Sequence, residues 1–215
     1  MRRYAAVLLD VDGTLVDSND AHAHAWVEAF AKRDLDVDFA RVRKLIGMGG
    51  DRMVELIAEL PRGSRDNEKL GKLRSKIFRE HWLAKVKPLA GARELLLRLR
   101  AEQYMYVIAS AAQADELEPL LELAGISDLC ELRTTSSDVE ASKPDPEIIE
   151  VALAKLPCDR SRAVMLGDTP YDLEAARGAG VDFLGVTSGG WSHEALSGAV
   201  AIRTGPASML AEWPL

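Results

Sequence analysis

The stretch "AAVLLDVDGTLVDS", residues 5–18, runs apolar over residues 5–9 and then stops on Asp10, with a second carboxylate at Asp12 and a glycine at Gly13. Apolar character without alternation is the mark of a strand buried on both faces, as in a parallel sheet. Two acids and a glycine at the end of such a strand call for a chemical reason.

Working outward, three more runs of the same kind occur at residues 104–109, 163–166 and 183–186, each followed by small or polar residues. Helical patterns lie between and after them at residues 92–100, 116–124, 146–156 and 173–179. Strands alternating with helices predict βαβ units with right-handed crossovers, and hence an α/β fold built on a parallel sheet. Residues 17–86 break this rhythm. They contain no strand pattern but several amphipathic stretches, marked by Trp26, Val27 and Phe30, by Val42, Leu45 and Ile46, by Met53, Val54 and Ile57, and by Leu70, Leu73 and Ile77. The spacing predicts an all-helical module, residues 17–86, inserted just after the first strand, with the core formed by 1–16 and 87–215. The turn chemistry of "KPLAG", residues 87–91, marks the return to the sheet, and the polar "PRGSRDNEK", residues 61–69, is expected to separate two helices of the insert.

With 215 residues, 47% of them hydrophobic, the chain can bury one substantial core plus a smaller module. Its 27 basic against 34 acidic residues give a net charge of -7, which argues against nucleic acid or an anionic membrane as the main partner. Arg2 and Arg3 precede the first apolar run, but Asp10 interrupts that run too early for a signal peptide, and no segment is long enough to span a bilayer. Cys130 and Cys158 lie far apart without metal-ligand spacing and read as ordinary thiols of a reducing compartment. A soluble cytoplasmic protein is expected, and nothing in the sequence sets its oligomeric state.

In open parallel sheets ligands collect at the carboxyl ends of the strands. The first strand delivers Asp10, Asp12 and Thr14 there. "VIASAA", residues 107–112, delivers Ser110; "ASKPDPE", residues 141–147, offers Lys143; "MLGDTPYD", residues 165–172, offers Asp168 and Asp172. Taken singly, each has a bland reading as a turn residue, a helix cap or a solvated side chain. Taken together they predict one pocket of carboxylates with a hydroxyl and an ammonium group. Like charges so placed need raised pKa values or a cation, and an all-oxygen acidic cluster suits Mg²⁺ with room for a phosphate.

The same segments carry a resemblance. "LDVDGTLVDS" resembles the first motif of haloacid dehalogenase (HAD) superfamily phosphatases, and "VIASAA", "ASKPDPE" and "MLGDTPYD" resemble the second, third and fourth, in order along the chain. The similarity is to the phosphoglycolate phosphatase and β-phosphoglucomutase-like subgroup, whose doubly wound core carries an inserted helical cap domain. It implies an Mg²⁺-dependent phosphomonoesterase acting on a small phosphorylated metabolite, such as phosphoglycolate or a sugar phosphate. Under that resemblance Asp10 is the nucleophile that forms an aspartyl-phosphate, and Asp12 is the general acid and base. Ser110 and Lys143 hold the phosphoryl group. The metal is held by Asp10, the backbone carbonyl of Asp12 and Asp168, with Asp172 supporting them. An acid at Asp12 sets the chain apart from the metal-free dehalogenases of the superfamily.

Specificity is expected in the cap. "LIGMGGDRM", residues 45–53, reads by its residues as a helix-helix turn; in related phosphatases a loop here reaches the active site, which makes Arg52 a candidate contact for an anionic substrate group. His22 stands where sugar-phosphate members often have histidine, and reads either as a substrate contact or as a helix-surface residue. Gly50 stands where the mutases carry a phosphate-gripping arginine, which disfavours the alternative of a β-phosphoglucomutase-like phosphomutase. A non-enzymatic phosphoaspartate switch is the other alternative, disfavoured by the inserted module. "GVTSGGWS", residues 185–192, is expected to form a turn and a helix start rather than to line the site.

Overall fold

A computed structural model describes residues 3–212; the first two and last three residues of the expected core, and with them Arg2, lie outside the described residues. Its centre is β1 (Ala6–Leu9), whose four side chains are all fully buried. The chain continues through β2 (Val16–Asp17), α1 (Asn19–Ala31), α2 (Phe39–Arg43), α3 (Gly50–Ala58) and α4 (Arg65–Ile77), then a π-helical turn Phe78–Trp82 and a 3-10 turn Leu83–Lys85, to β3 (Lys87–Pro88). There follow α5 (Ala92–Ala101), β4 (Met105–Ala109), α6 (Ala114–Leu123), β5 (Arg133–Thr134), α7 (Glu147–Ala154), β6 (Ala163–Gly167), α8 (Pro170–Gly178), β7 (Asp182–Val186), β8 (Ala201–Arg203) and α9 (Pro206–Ala211).

The main sheet has the order β5-β4-β1-β6-β7-β8, every pairing parallel, with Leu8 of β1 beside Val107 of β4 and Met165 of β6. Strand alternation divides the core between its two faces. Val7, Leu9, Ile108, Leu166 and Leu184 pack with Leu95, Leu96 and Leu120 on one side; Ala6, Leu8, Val107, Met165 and Phe183 pack with Ile148, Ile149, Ala175 and Ala176 on the other. Because β1 lies between β4 and β6, the order reverses at its carboxyl end, which opens a crevice there.

All regular structure between β2 and β3 is helical, and those two short strands pair antiparallel, Val16 with Pro88 and Asp17 with Lys87. This ribbon is the neck through which the helical cap leaves and rejoins the core. The polar stretch 61–69 departs from expectation: only its first half is a loop, because Ser64 caps α4 by accepting from the Asn67 N–H at 3.3 Å, and Asp66 and Glu68 favour the positive end of that helix. Strands β5 and β8, and the ribbon, are additions to the four predicted strands. Among the described residues no helix is long and apolar enough to cross a membrane, and Cys130 and Cys158 are free thiols.

Candidate active site

Asp10 follows directly on β1, and its N–H still donates to the Leu166 carbonyl of β6 at 2.9 Å, so the sheet itself fixes the backbone that carries it. The chain then turns sharply: the N–H groups of Thr14, Leu15 and Val16 all point at the Val11 carbonyl. Gly13 sits in this turn with φ +74, and a Cβ there would overlap Asp168 and Asn19. Asp168 and Asp172 come from the loop after β6 and the first turn of α8. The true cap of α8 is Thr169, which exchanges hydrogen bonds with Asp172 in a capping box.

Three of the predicted carboxylates converge. Asp10, Asp168 and Asp172 are buried, and one oxygen of each lies within 4.8 Å of the others. Lys143, 1% exposed, places its ammonium group 2.7 Å from Asp10 Oδ1 and 2.7 Å from Asp172 Oδ1 and donates to the Ala109 carbonyl at 2.9 Å. One cation therefore faces three acids, and the excess negative charge bears on Asp10 and Asp168. Burial, with Asp172 and Asp12 nearby, pushes Asp10 up to about 7 despite Lys143, and burial beside Asp10 and Asp172 raises Asp168 well above the usual carboxylate range. Lys143 is desolvated too, but its two carboxylates raise it above an ordinary lysine. Asp172 thus uses Oδ2 to cap α8 and Oδ1 to join the charged cluster.

Asp12 stands apart from this group. Its Oδ1 accepts from Ser18 Oγ and meets His22 Nε2 at 2.9 Å. Burial penalises the Asp12 carboxylate, but His22, Ser18 and Arg74 outweigh it and hold the pKa below the usual value. His22 is 6% exposed and stacks on Phe78 with 4.0 Å between ring centroids, so the helix-surface reading does not hold. Its Nδ1 lies 3.4 Å from Arg74 Nη1, so the ring bridges Asp12 and the Arg74 guanidinium. Ser110 is fully buried after β4, its hydroxyl accepting from the Ala112 N–H at 3.0 Å.

A cavity of about 50 Å³ opens onto Asp10, Asp12 and His22, room for a few water-sized groups, and is closed from the cap side by Gly47, Met48, Gly50 and Arg74. The cap loop thus reaches the cavity, but Arg52 is not among its lining residues; it lies on α3 with a buried, unpartnered Nε. The guanidinium at the cavity belongs to Arg74. Arg74, its partner Glu116 and Asn19 were not predicted. Asn19 donates to Asp168 Oδ2 at 2.9 Å and to the Gly189 carbonyl at 3.3 Å.

The expectation for residues 185–192 is also corrected. No helix starts there, and the turn packs on the acidic cluster: Ser188 donates to the Gly13 carbonyl at 2.6 Å, and a Cβ on Gly189 would overlap Asp168 Oδ2. Glycine is required because the strand-end loops of β1, β6 and β7 meet without space for a methyl group. Gly189→Ala is expected to push Asp168 aside and, where the cluster takes up a divalent cation, to weaken that uptake by about tenfold or more, measurable by titration calorimetry with MgCl₂.

With this geometry in view, similarities to known proteins become informative. The family model for haloacid dehalogenase-like hydrolases matches residues 7–186. The chain is 31% identical over 188 residues to a protein named probable phosphatase IndB from Dickeya dadantii, covering 85% of this chain and 81% of that one. It is 30% identical over 218 residues to the phosphoglycolate phosphatase of Rhodospirillum rubrum, covering 97% and 90%. The crystal structure of a hydrolase from Pseudomonas syringae superposes with a TM-score of 0.89 at 27% identity, covering 97% of this chain and 96% of that one. A match that takes in the acidic cluster, the lysine and the inserted cap places the chain in the haloacid dehalogenase-like hydrolase family.

Proposed function

We propose that the protein is an Mg²⁺-dependent phosphomonoesterase that hydrolyses a small phosphorylated metabolite in the cytoplasm through an aspartyl-phosphate on Asp10. The observation that carries this reading is the gathering of Asp10, Asp168 and Asp172 around the single cation Lys143, beside the separately held Asp12. The donor set fits a hard divalent cation, since its oxygens are all carboxylate and its negative charge is only partly compensated. Asp10 and Asp168, with the Asp12 backbone carbonyl, would hold Mg²⁺, and Asp172 would orient Lys143 from behind. Bound there, the ion supplies Lewis-acid stabilisation of charge on the phosphoryl oxygens.

In the first displacement an Asp10 oxygen forms a bond to phosphorus as the bond to the leaving oxygen breaks, and protonated Asp12 gives its proton to that oxygen. In the second, water attacks the same phosphorus, Asp12 takes its proton, and Asp10 is released. Lys143 offsets charge on Asp10 throughout, and Ser110 with the neighbouring N–H groups would hold phosphoryl oxygens. His22 holds Asp12 ionised, which biases it toward the base half of this cycle. Residues 17–86 would act as the cap that excludes water, with residues 1–16 and 87–215 as the catalytic core. The relatives named phosphatases support the reaction class; phosphoglycolate and sugar phosphates are the first substrates to test.

A phosphate-release assay over such esters should show turnover with Mg²⁺ and its loss with a chelator, restored by adding Mg²⁺ back. Turnover that survives exhaustive chelation contradicts the proposal.

A further inference from the structure

The cavity beside Asp10 is bridged by an ion pair that joins the cap to the core. Arg74 of α4 donates to Glu116 Oε2 of α6 at 2.7 Å, with side-chain exposures of 11% and 0%. Both residues line the cavity. Arg74 is the only lysine or arginine among the lining residues, and His22 is already paired with Asp12, whereas Asp10, Asp12 and Glu116 are acidic. Burial raises the Glu116 pKa, but Arg74 and His22 outweigh it and keep the group ionised. The one formal cation available to a leaving group is thus already neutralised.

Each member of the pair also keeps an unused valence. Arg74 Nε, a donor, and Glu116 Oε1, an acceptor, are buried without a hydrogen bond of ordinary geometry, although the Ser75 hydroxyl lies close enough to Glu116 to help lower its pKa. A spare donor and a spare acceptor on two paired residues that line the cavity match a hydroxyl, which both accepts and donates. They do not match a carboxylate or a second phosphate, which would face Glu116 with no free positive charge to offset it. Beyond them a second cavity of about 430 Å³ shares Trp26, Gly50, Arg74 and Ala111 with the first and is lined by Asp51, Glu68 and Glu140 against Lys72. Asp51 also lies in the first turn of α3 and offsets the positive end of that helix.

Resting on the phosphatase reading above, we infer that Arg74 and Glu116 together select the leaving group: the substrate is a monophosphate ester of an uncharged, hydroxyl-bearing alcohol, and esters with a second anionic group near the phosphate are rejected. Matched pairs test this. In each of 2-hydroxyethyl phosphate with phosphoglycolate, and glycerol 3-phosphate with 3-phosphoglycerate, the members differ by a hydroxymethyl against a carboxylate. The hydroxylated member should show kcat/KM higher by about tenfold or more, the size expected of a like-charge clash. Glu116→Gln, which leaves Arg74 uncompensated, should move that ratio about tenfold or more toward the carboxylated member, while Glu116→Asp, which keeps the charge, should preserve the preference.

Equal or greater kcat/KM for the carboxylated members in the wild type, or turnover of none of the four esters by protein that hydrolyses p-nitrophenyl phosphate, overturns the inference and leaves the phosphatase reading standing. An unmoved ratio in folded Glu116→Gln overturns the role of the pair. Should that variant not fold, the wild-type ratios decide alone. No release from p-nitrophenyl phosphate or any ester overturns the phosphatase reading, and this inference with it.

Discussion

Asp10→Asn is expected to abolish Mg²⁺-dependent phosphate release, by more than about 10⁴-fold, while the protein still folds. Asparagine has nearly the shape of aspartate, and the sheet rather than the carboxylate fixes the backbone, through the Asp10 N–H bond to the Leu166 carbonyl. Lys143 would keep Asp172 Oδ1 and the Ala109 carbonyl as partners. The stability change should therefore stay within about 2 kcal/mol. What is lost is the nucleophile: a neutral amide cannot attack phosphorus as Asp10 does. Steady-state kinetics alongside denaturant unfolding separate the two effects, and comparable turnover by the variant removes Asp10 from its proposed role.

Lys143→Met should produce the second large effect, this time on both activity and stability. Methionine fills much of the same volume but leaves Asp10, Asp168 and Asp172 within 4.8 Å of one another with no cation between them. Removing one member of a buried, charge-paired cluster costs about 3–5 kcal/mol, because the remaining charges stay desolvated. The metal-free variant should therefore lose several kcal/mol of unfolding free energy, and Mg²⁺ should stabilise it more than it stabilises the wild type, by supplying some of the missing positive charge. Turnover should fall to near background, since among the described residues no other ammonium or guanidinium group pairs with Asp10. A variant with wild-type stability in the absence of metal would show that Lys143 does not compensate the cluster.

The parts of this site that were legible in the sequence are those tied to strand ends. Residues 5–9, 104–109, 163–166 and 183–186 are continuous apolar runs, so their ends were visible within a residue of where β1, β4, β6 and β7 stop, and Asp10, Asp168 and Ser110 could be placed from them. Lys143 and Asp172 were found through motif order, and the structure brings both to the cluster. Strands β5 and β8, of two and three residues, were missed because segments as short as Arg133–Thr134 cannot show periodicity. The ribbon of β2 and β3 escaped because two residues a side are too few to show a pattern.

Arg74 and Glu116 were hidden for a different reason. Each sits on an amphipathic helix among other charged residues, in "KLRSK" and "ADELE", where a charge ordinarily faces solvent. Only the packing of α4 against the core, across a separation of 42 residues, turns them into a buried pair. Gly189 was passed over because glycine and serine clusters usually mark loops; that this one meets Asp168 depends on the parallel alignment of β6 with β7. Arg52 drew attention by its place in "LIGMGGDRM", but the helical turn that begins at Gly50 carries it away from the cavity that Gly47, Met48 and Gly50 line.

A covalent phosphoenzyme on Asp10 is the decisive intermediate. Rapid mixing of the Mg²⁺-loaded protein with excess p-nitrophenyl phosphate, acid quenching within a turnover and peptide mass spectrometry should find one phosphoryl group, labile to hydroxylamine, on the peptide containing Asp10, and more of it in Asp12→Asn, where water attack is impaired. Complete turnover with no phosphorylated peptide, or a phosphoryl group on any residue other than Asp10, contradicts the mechanism.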